Sequence, residues 1–176
     1  MNEQVFKNIL TRRSVKKYKP DLVEKELIEK IVEAGTYAAT GRNLQAPIIL
    51  AVTNKCLRDK LSQMNAQIMG LDGKSDPFYG APVVLVVLAD KTVRTRVYDG
   101  SLVMGNMMLA AHALGLGSCW IHRAREEFES DEGKAILKDL GIEGEYEGIG
   151  HLVLGYTDGE YPITRPRKDG WVYYID

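Results

Sequence analysis

The sequence predicts an α+β fold, a mixed and mostly antiparallel sheet flanked by helices, and three observations lead there. Residues 99–114, DGSLVMGNMMLAAHAL, are apolar around almost the whole circumference of a helix, so that helix must be covered on all sides. Residues 82–89, PVVLVVLA, show no polar alternation and read as a central strand buried on both faces. No linker-like or low-complexity stretch interrupts the 176 residues, of which 45% are apolar, so one domain with a sizeable core is expected over residues 1–176.

With 23 Lys and Arg against 24 Asp and Glu, the formal net charge is -1. That balance gives no electrostatic case for nucleic acid or an anionic membrane as partner, so the expected partner is a small molecule. Cys56 and Cys119 sit in separate apolar segments without metal-ligand spacing, and the opening MNEQVFKN holds no apolar signal core. A reducing, cytoplasmic setting is expected. The long apolar run is too short for a membrane helix and contains Gly105, Asn106 and His112.

Val5, Phe6, Ile9 and Leu10 share one helical face, which predicts a short amphipathic helix over residues 3–11. Arg12, Arg13, Ser14, Val15, Lys16, Lys17 and Tyr18 follow. Cations there compensate a helix macrodipole on a solvated face, or they form a phosphate clamp: guanidinium groups supply paired donors, Ser14 a hydroxyl and Lys16 a point charge. Asp21 and Glu24 stand at capping-box spacing, and Leu27, Ile28, Ile31, Val32 and Gly35 recur at helical period, predicting a second helix through about Ala39. Thr40, Gly41, Arg42, Asn43 and Gln45 then make a polar turn before an apolar strand at 48–53. Its amides each offer a donor and an acceptor, which suits the edge of a heterocycle, while Asn and Gly are also ordinary loop formers.

Leu57, Leu61, Met64 and Ile68 mark a third helix, followed by a loop over residues 70–80. Only residues 90–98 connect the central strand to the buried helix, too few for an elaborate lid. Gly115 and Gly117 end that helix and residues 118–121 resume as a strand; glycines at such a junction serve a tight turn, or let backbone approach something flat or bulky. The acidic run 126–132 reads mostly as solvated charge, and Ile136, Leu137 and Leu140 mark a short helix ending at Gly141. Residues 149–155 form another buried strand. Asp158 and Gly159 turn the chain, Pro162 and Pro166 keep residues 161–168 irregular, and WVYYI at 171–175 reads as a terminal strand suited to pairing with another subunit.

Gly115-Leu116-Gly117 and Gly148-Ile149-Gly150 lack both the third glycine and the strand-to-helix setting of a dinucleotide fingerprint. Neither a P-loop motif nor a GxSxG elbow is present, which removes the simplest routes to an NTPase or an α/β-hydrolase. His112, Cys119, His122 and His151 come from separate elements with no short ligand pair, so no metal site is expected. What remains is the Arg12 to Lys16 cluster, the amide turn, the glycine-flanked strand, and a second basic cluster at Arg165, Arg167 and Lys168. The basic clusters suit a phosphate, the amides a flavin pyrimidine edge and the strand a ring face, so separated pieces point to one ligand.

Taken in order, RRSVKKY, TGRNLQ, APVVLVV, DGSLVMGNMMLAAHALGLGSCWI, HLVLGY and RPRK resemble the nitroreductase family of FMN-dependent oxidoreductases over nearly the whole chain. The resemblance implies a nitroreductase-like fold in an interlocked homodimer, with an FMN in each of two interface sites. It implies that Arg12, Arg13 and Ser14, together with Arg167, hold the FMN phosphate and ribityl chain, with Lys16 near the flavin ring. Asn43 and Gln45 match a turn that packs by the flavin largely from the partner subunit. Trp120, Ile121 and His122 match a strand end whose backbone faces the ring, with a main-chain N–H near N5, and Asn65 is a candidate for a family asparagine at the ring's polar edge.

Two departures stand out. The family often places proline and an aromatic residue directly after the glutamine, where this chain reads Gln45-Ala46-Pro47-Ile48, and many members carry an acidic or small pair in place of His122-Arg123. The chain is also short, which implies that the substrate-covering helices of longer members are missing and the pocket is open. The implied activity is ping-pong transfer from NADH or NADPH, through FMN, to a flat acceptor such as a nitroaromatic, a quinone or a free flavin, with no catalytic side chain. Other readings are a dehalogenating or flavin-consuming relative, a redox sensor or carrier without turnover, and a flavin-free interaction module whose arginines are surface charge.

Overall fold

The computed structural model describes residues 3–71 and 75–176; the middle of the 70–80 loop, residues 72–74, lies outside the described residues. Strand β2 (Val83–Asp90) is buried from Val83 through Ala89, as its unbroken apolar run requires. With β1 (Pro47–Val52), β3 (Gly117–Ile121) and β4 (Tyr146–Gly155) it forms a four-stranded sheet of order β1-β2-β4-β3, every pair antiparallel. The expected mixture of directions reduces to one parallel bridge, Ser14 to Ser118, on the outer edge of β3.

Alternation along β2 divides the core into two layers. Val84, Val86 and Leu88 pack with Leu61 and Met64 of α3 (Lys55–Ile68), Phe128 of α5 (Ala124–Glu129) and Ile136 of α6 (Asp131–Asp139). Val83, Leu85 and Val87 pack with Ile28 and Ile31 of α2 (Lys25–Thr36) and with Met104 and Met107 of α4 (Arg96–Ala113). Each such side chain contributes about 1.5–3 kcal/mol by leaving water.

Several local expectations are overridden by tertiary bonds. Helix α2 starts at Lys25 without a side-chain cap, because the Glu24 carboxylate accepts the Tyr156 hydroxyl instead of closing a box with Asp21, and it stops at Thr36 rather than near Ala39. Helix α4 begins early, at Arg96, with Asp99 one turn inside it accepting from Gly41 N (3.0 Å) and Thr95 Oγ1 (2.8 Å). The acidic run at 126–132 folds into α5 and the start of α6, with Glu127 fully buried rather than solvated.

Helix α4 is covered along one side only: Met104, Met107 and Ala111 are buried, whereas Leu102 is 50% exposed and Tyr98 points outward. Beside it, α1 (Glu3–Thr11) is tied down by its polar residue Asn8, whose Nδ2 donates to Leu109 O at 3.0 Å, while Val5, Phe6, Ile9 and Leu10 stay exposed. Residues 171–175 form no strand and are exposed, because among the described residues no strand offers them a ladder of N–H and C=O groups.

The arm after β4 is pinned at its root. Tyr161 Oη accepts the Arg13 N–H (2.8 Å), lies 3.1 Å from His112 Nδ1 and stacks on that ring with centroids 5.3 Å apart. His112 Nε2 lies 2.8 Å from Thr11 Oγ1, whose hydroxyl donates to Lys7 O (2.6 Å), so the ring donates from Nε2 and accepts at Nδ1.

Helix α5 lies so close to β4 that a Cβ on Gly148 would fall 2.1 Å from Ala124 O, a backbone atom that cannot turn aside. Gly148→Ala is therefore expected to cost about 3 kcal/mol or more in chemical denaturation. Burial, then the charges of Arg12 and Arg13, hold the His112 pKa below its usual 6.5. The unfolded chain thus takes up this proton before the folded one, so stability falls as the pH drops from 6.5 through the lower folded value. The melting temperature should decline as the pH falls below about 6.5, and His112→Gln should remove that part of the decline.

Candidate functional site

The basic segment reaches its place through the edge of β3. Val15 N donates to Ser118 O at 3.0 Å and the Val15 side chain is buried, so its neighbours Ser14 and Lys16 face outward. Arg13 donates to the carbonyls of Leu10 (2.9 Å) and Arg12 (2.6 Å) and to Thr164 Oγ1. Arg12 Nη1 and Arg13 Nε are buried and, among the described residues, have no partner. A desolvated guanidinium N–H without an acceptor is costly, and an anion seated beside Ser14 would supply one.

Lys16 Nζ lies 5.7 Å from the centre of the Tyr79 ring. Tyr79, at φ 56, is held by Asp76, whose carboxylate accepts from Arg58 Nη2 (2.5 Å), Ser62 Oγ (2.5 Å), Phe78 N (2.9 Å) and Gly80 N (2.7 Å). Burial pulls the Asp76 pKa up, but these donors outweigh it and keep the carboxyl below its usual range. Burial likewise pushes the Cys119 thiol up, against Ser14, Lys16 and Arg12, so it is no thiolate nucleophile. Nothing in the sequence around Tyr79 marks it as part of the site, since the bonds to Asp76 come from residues 58, 62, 78 and 80.

At the other end of β3, Ile121 points into the core, His122 is exposed, and the half-buried Trp120 lies with its ring centroid 6.0 Å from that of His122. The Trp120 indole covers Gly150, where a Cβ would sit 2.4 Å from Nε1. Arg123 follows at φ 77, a left-handed conformation that favours glycine. Asn65 is fully buried: Nδ2 donates to His122 O (2.8 Å) and Glu127 Oε1 (2.6 Å), and Oδ1 accepts from Arg123 Nε (3.0 Å). Its amide is thus engaged inside the chain rather than offered at a ring edge.

The amide turn lies elsewhere. A 3-10 turn at Gly41–Asn43 leads into Gln45, with Asn43 and Gln45 at φ 55 and 52, both exposed, and Gln45 Nε2 donating to Asn43 Oδ1 at 3.4 Å. It hangs on Asp99 near the start of α4, whereas His112, tied through Tyr161 to Arg13, is near that helix's end. At 1.5 Å per residue these points are roughly 20 Å apart, so one chain does not bring Asn43 and Gln45 to the basic cluster. Arg167 is exposed on the arm and donates to Arg165 O (2.8 Å); among the described residues it meets none of the other candidates.

The family model described as the nitroreductase family matches residues 9–156. A protein of Methanothermobacter thermautotrophicus, provisionally named NADH dehydrogenase/NAD(P)H nitroreductase, is 30% identical over 174 residues, covering 94% of this chain and 83% of its own length. The crystal structure of a nitroreductase with bound FMN from Bacteroides fragilis matches at a TM-score of 0.89 and 27% identity, covering 100% of both chains. A second, from Desulfitobacterium hafniense and also with bound FMN, matches at 0.87 and 26%, covering 99% of this chain and 100% of its own. The chain belongs to the nitroreductase family, a family of oxidoreductases.

Proposed function

We propose that this chain binds FMN at the edge of β3 and, as a homodimer, uses NADH or NADPH to reduce a flat electron acceptor. The observation that carries the proposal is the pair of buried, partnerless donors, Arg12 Nη1 and Arg13 Nε, beside the exposed Ser14. These residues would hold the phosphate, with Arg167 closing over it from the arm and Lys16 adding positive charge. The backbone of Trp120, Ile121 and His122 would border the ring. FMN, when bound, would supply the redox chemistry that links the nicotinamide to the second substrate. The chain binds, orients and sets the charge around the ring, and no catalytic side chain is assigned.

A second subunit is part of the proposal. The open side of α4, the exposed face of α1 and residues 171–175 form apolar surface that a lone chain leaves in water. Asn43 and Gln45 would reach a flavin only from a partner. The brief connection over residues 91–95 builds no lid, which favours loosely selected flat acceptors such as nitroaromatics, quinones or free flavins. Among the described residues no helix is long and apolar enough to cross a membrane, and both cysteines are free thiols, which suits a cytoplasmic setting.

The purified protein should show a flavin absorption spectrum that bleaches with NADH in the absence of oxygen and returns on adding a quinone or nitroaromatic; no flavin uptake even after incubation with FMN would overturn the proposal. Arg12→Ala and Arg167→Ala should each weaken FMN binding about tenfold or more, measured by fluorescence quenching. Leu102→Glu should convert the dimer to monomer in sedimentation equilibrium and weaken FMN binding with it, whereas a monomeric wild-type chain would remove the second subunit from the site.

A further inference from the structure

A chain of fully buried polar side chains runs from the middle of β4 to the end of β3. His151, on β4, lies against Phe78 with ring centroids 5.1 Å apart, and its Nε2 is 3.0 Å from Glu127 Oε2. Its Nδ1 is buried and, among the described residues, has no partner, so the tautomer with hydrogen on Nε2 serves the carboxylate and strands only a lone pair. Glu127 Oε1 takes one hydrogen of Asn65 Nδ2 (2.6 Å), and the other goes to His122 O (2.8 Å). Asn65 Oδ1 accepts from Arg123 Nε (3.0 Å). The amide cannot be turned over, because a carboxylate and a carbonyl demand donors and a guanidinium demands an acceptor.

The consequence falls on one peptide group. The bond between His122 and Arg123 is trans, so its C=O and N–H point in opposite directions. With the carbonyl drawn onto Asn65, the Arg123 N–H is turned away from α3, and among the described residues it has no acceptor. The left-handed φ of 77 at Arg123, unfavourable for a residue with a Cβ, is held at three points: the His122 carbonyl, its own side chain on Asn65, and its carbonyl accepting Glu127 N at 3.0 Å. An apolar trio of similar volume would fill this space without desolvating a carboxylate; what the polar chain adds is a fixed direction for that carbonyl.

We infer that Asn65, Glu127 and His151 are positioning residues that aim the Arg123 N–H out of the end of β3 as a donor to the flavin ring. This rests on the FMN reading of the site. Its signature is an effect on the ring and not on the phosphate, so riboflavin, which lacks the phosphate, separates the two.

The test measures FMN and riboflavin affinity by fluorescence quenching, together with the melting temperature, in the full chain. Asn65→Asp sets a carboxylate against Glu127 and removes the donor to His122 O; it should lower the melting temperature and weaken both ligands by a similar factor, about tenfold. In the double variant Asn65→Asp, Glu127→Gln, the new amide donates to the new carboxylate and still accepts from His151, so the melting temperature should recover. The His122 carbonyl still has no donor there, so both affinities should stay about tenfold weak. Affinities that recover with the melting temperature, or that never fall in Asn65→Asp, would overturn the inference. Arg12→Ala serves as the phosphate control and should weaken FMN alone; if it changes neither ligand, the flavin site is misplaced and the inference falls with it.

Discussion

The constraint on which the structure depends is that β2 has no side for water. Valine, leucine and alanine from Val83 through Ala89 are buried on both faces, so one layer must come from α2 and α4 and another from α3, α5 and α6. Hydrogen bonding then demands strands on both sides, and β1 and β4 supply them. Because β4 takes β3 on its far side, the sheet ends in a short strand whose outer edge is free for the chain at Ser14 and Val15. The basic cluster is placed by that edge.

This arrangement gives β3 two chemically different ends. Near Ser118 the edge gathers Arg12, Arg13, Ser14 and Lys16; the far end presents Trp120 within the strand and His122 and the strained Arg123 past Ile121. An anion-seeking end and an aromatic end joined by a rigid strand suit a ligand that is itself a phosphate linked to a flat ring. The same sheet explains the buried polar chain: His151 faces the α5 layer, and Gly148 lets α5 approach closely enough to bring Glu127 to it. What the protomer leaves undone is equally physical. Helix α4, nearly all apolar, leaves Tyr98 and Leu102 exposed on one side, and the amide turn hangs at the end of that helix remote from the basic cluster.

Much of this was legible in the order of residues. The central strand, the buried helix, the amphipathic pattern of α3 and the position of β3 follow from hydrophobic period and from Gly115 and Gly117. So does the resemblance to the family, which the comparisons bear out. The basic segment was visible as a cluster, although its pairing with Ser118 was not. Other readings failed where a distant partner outbid a local one. Glu24 reaches Tyr156 instead of completing a cap. Residues 171–175 have the composition of a strand but, among the described residues, no partner strand.

By itself the sequence determined the alternation of elements, the face each buries and the chemistry it can offer, because period, turn residues and composition act within a few residues of chain. Only the tertiary structure decided which groups meet. Glu127 sits in an acidic run like any solvated face, and its burial depends on Asn65 and His151, at sequence separations of 62 and 24 residues. In the packed chain Arg12 Nη1 and Arg13 Nε are buried and, among the described residues, have no acceptor, which their place in a basic run does not reveal. Contacts between residues far apart in sequence are set by packing and by the satisfaction of buried polar groups, and neither leaves a mark on any local stretch of chain.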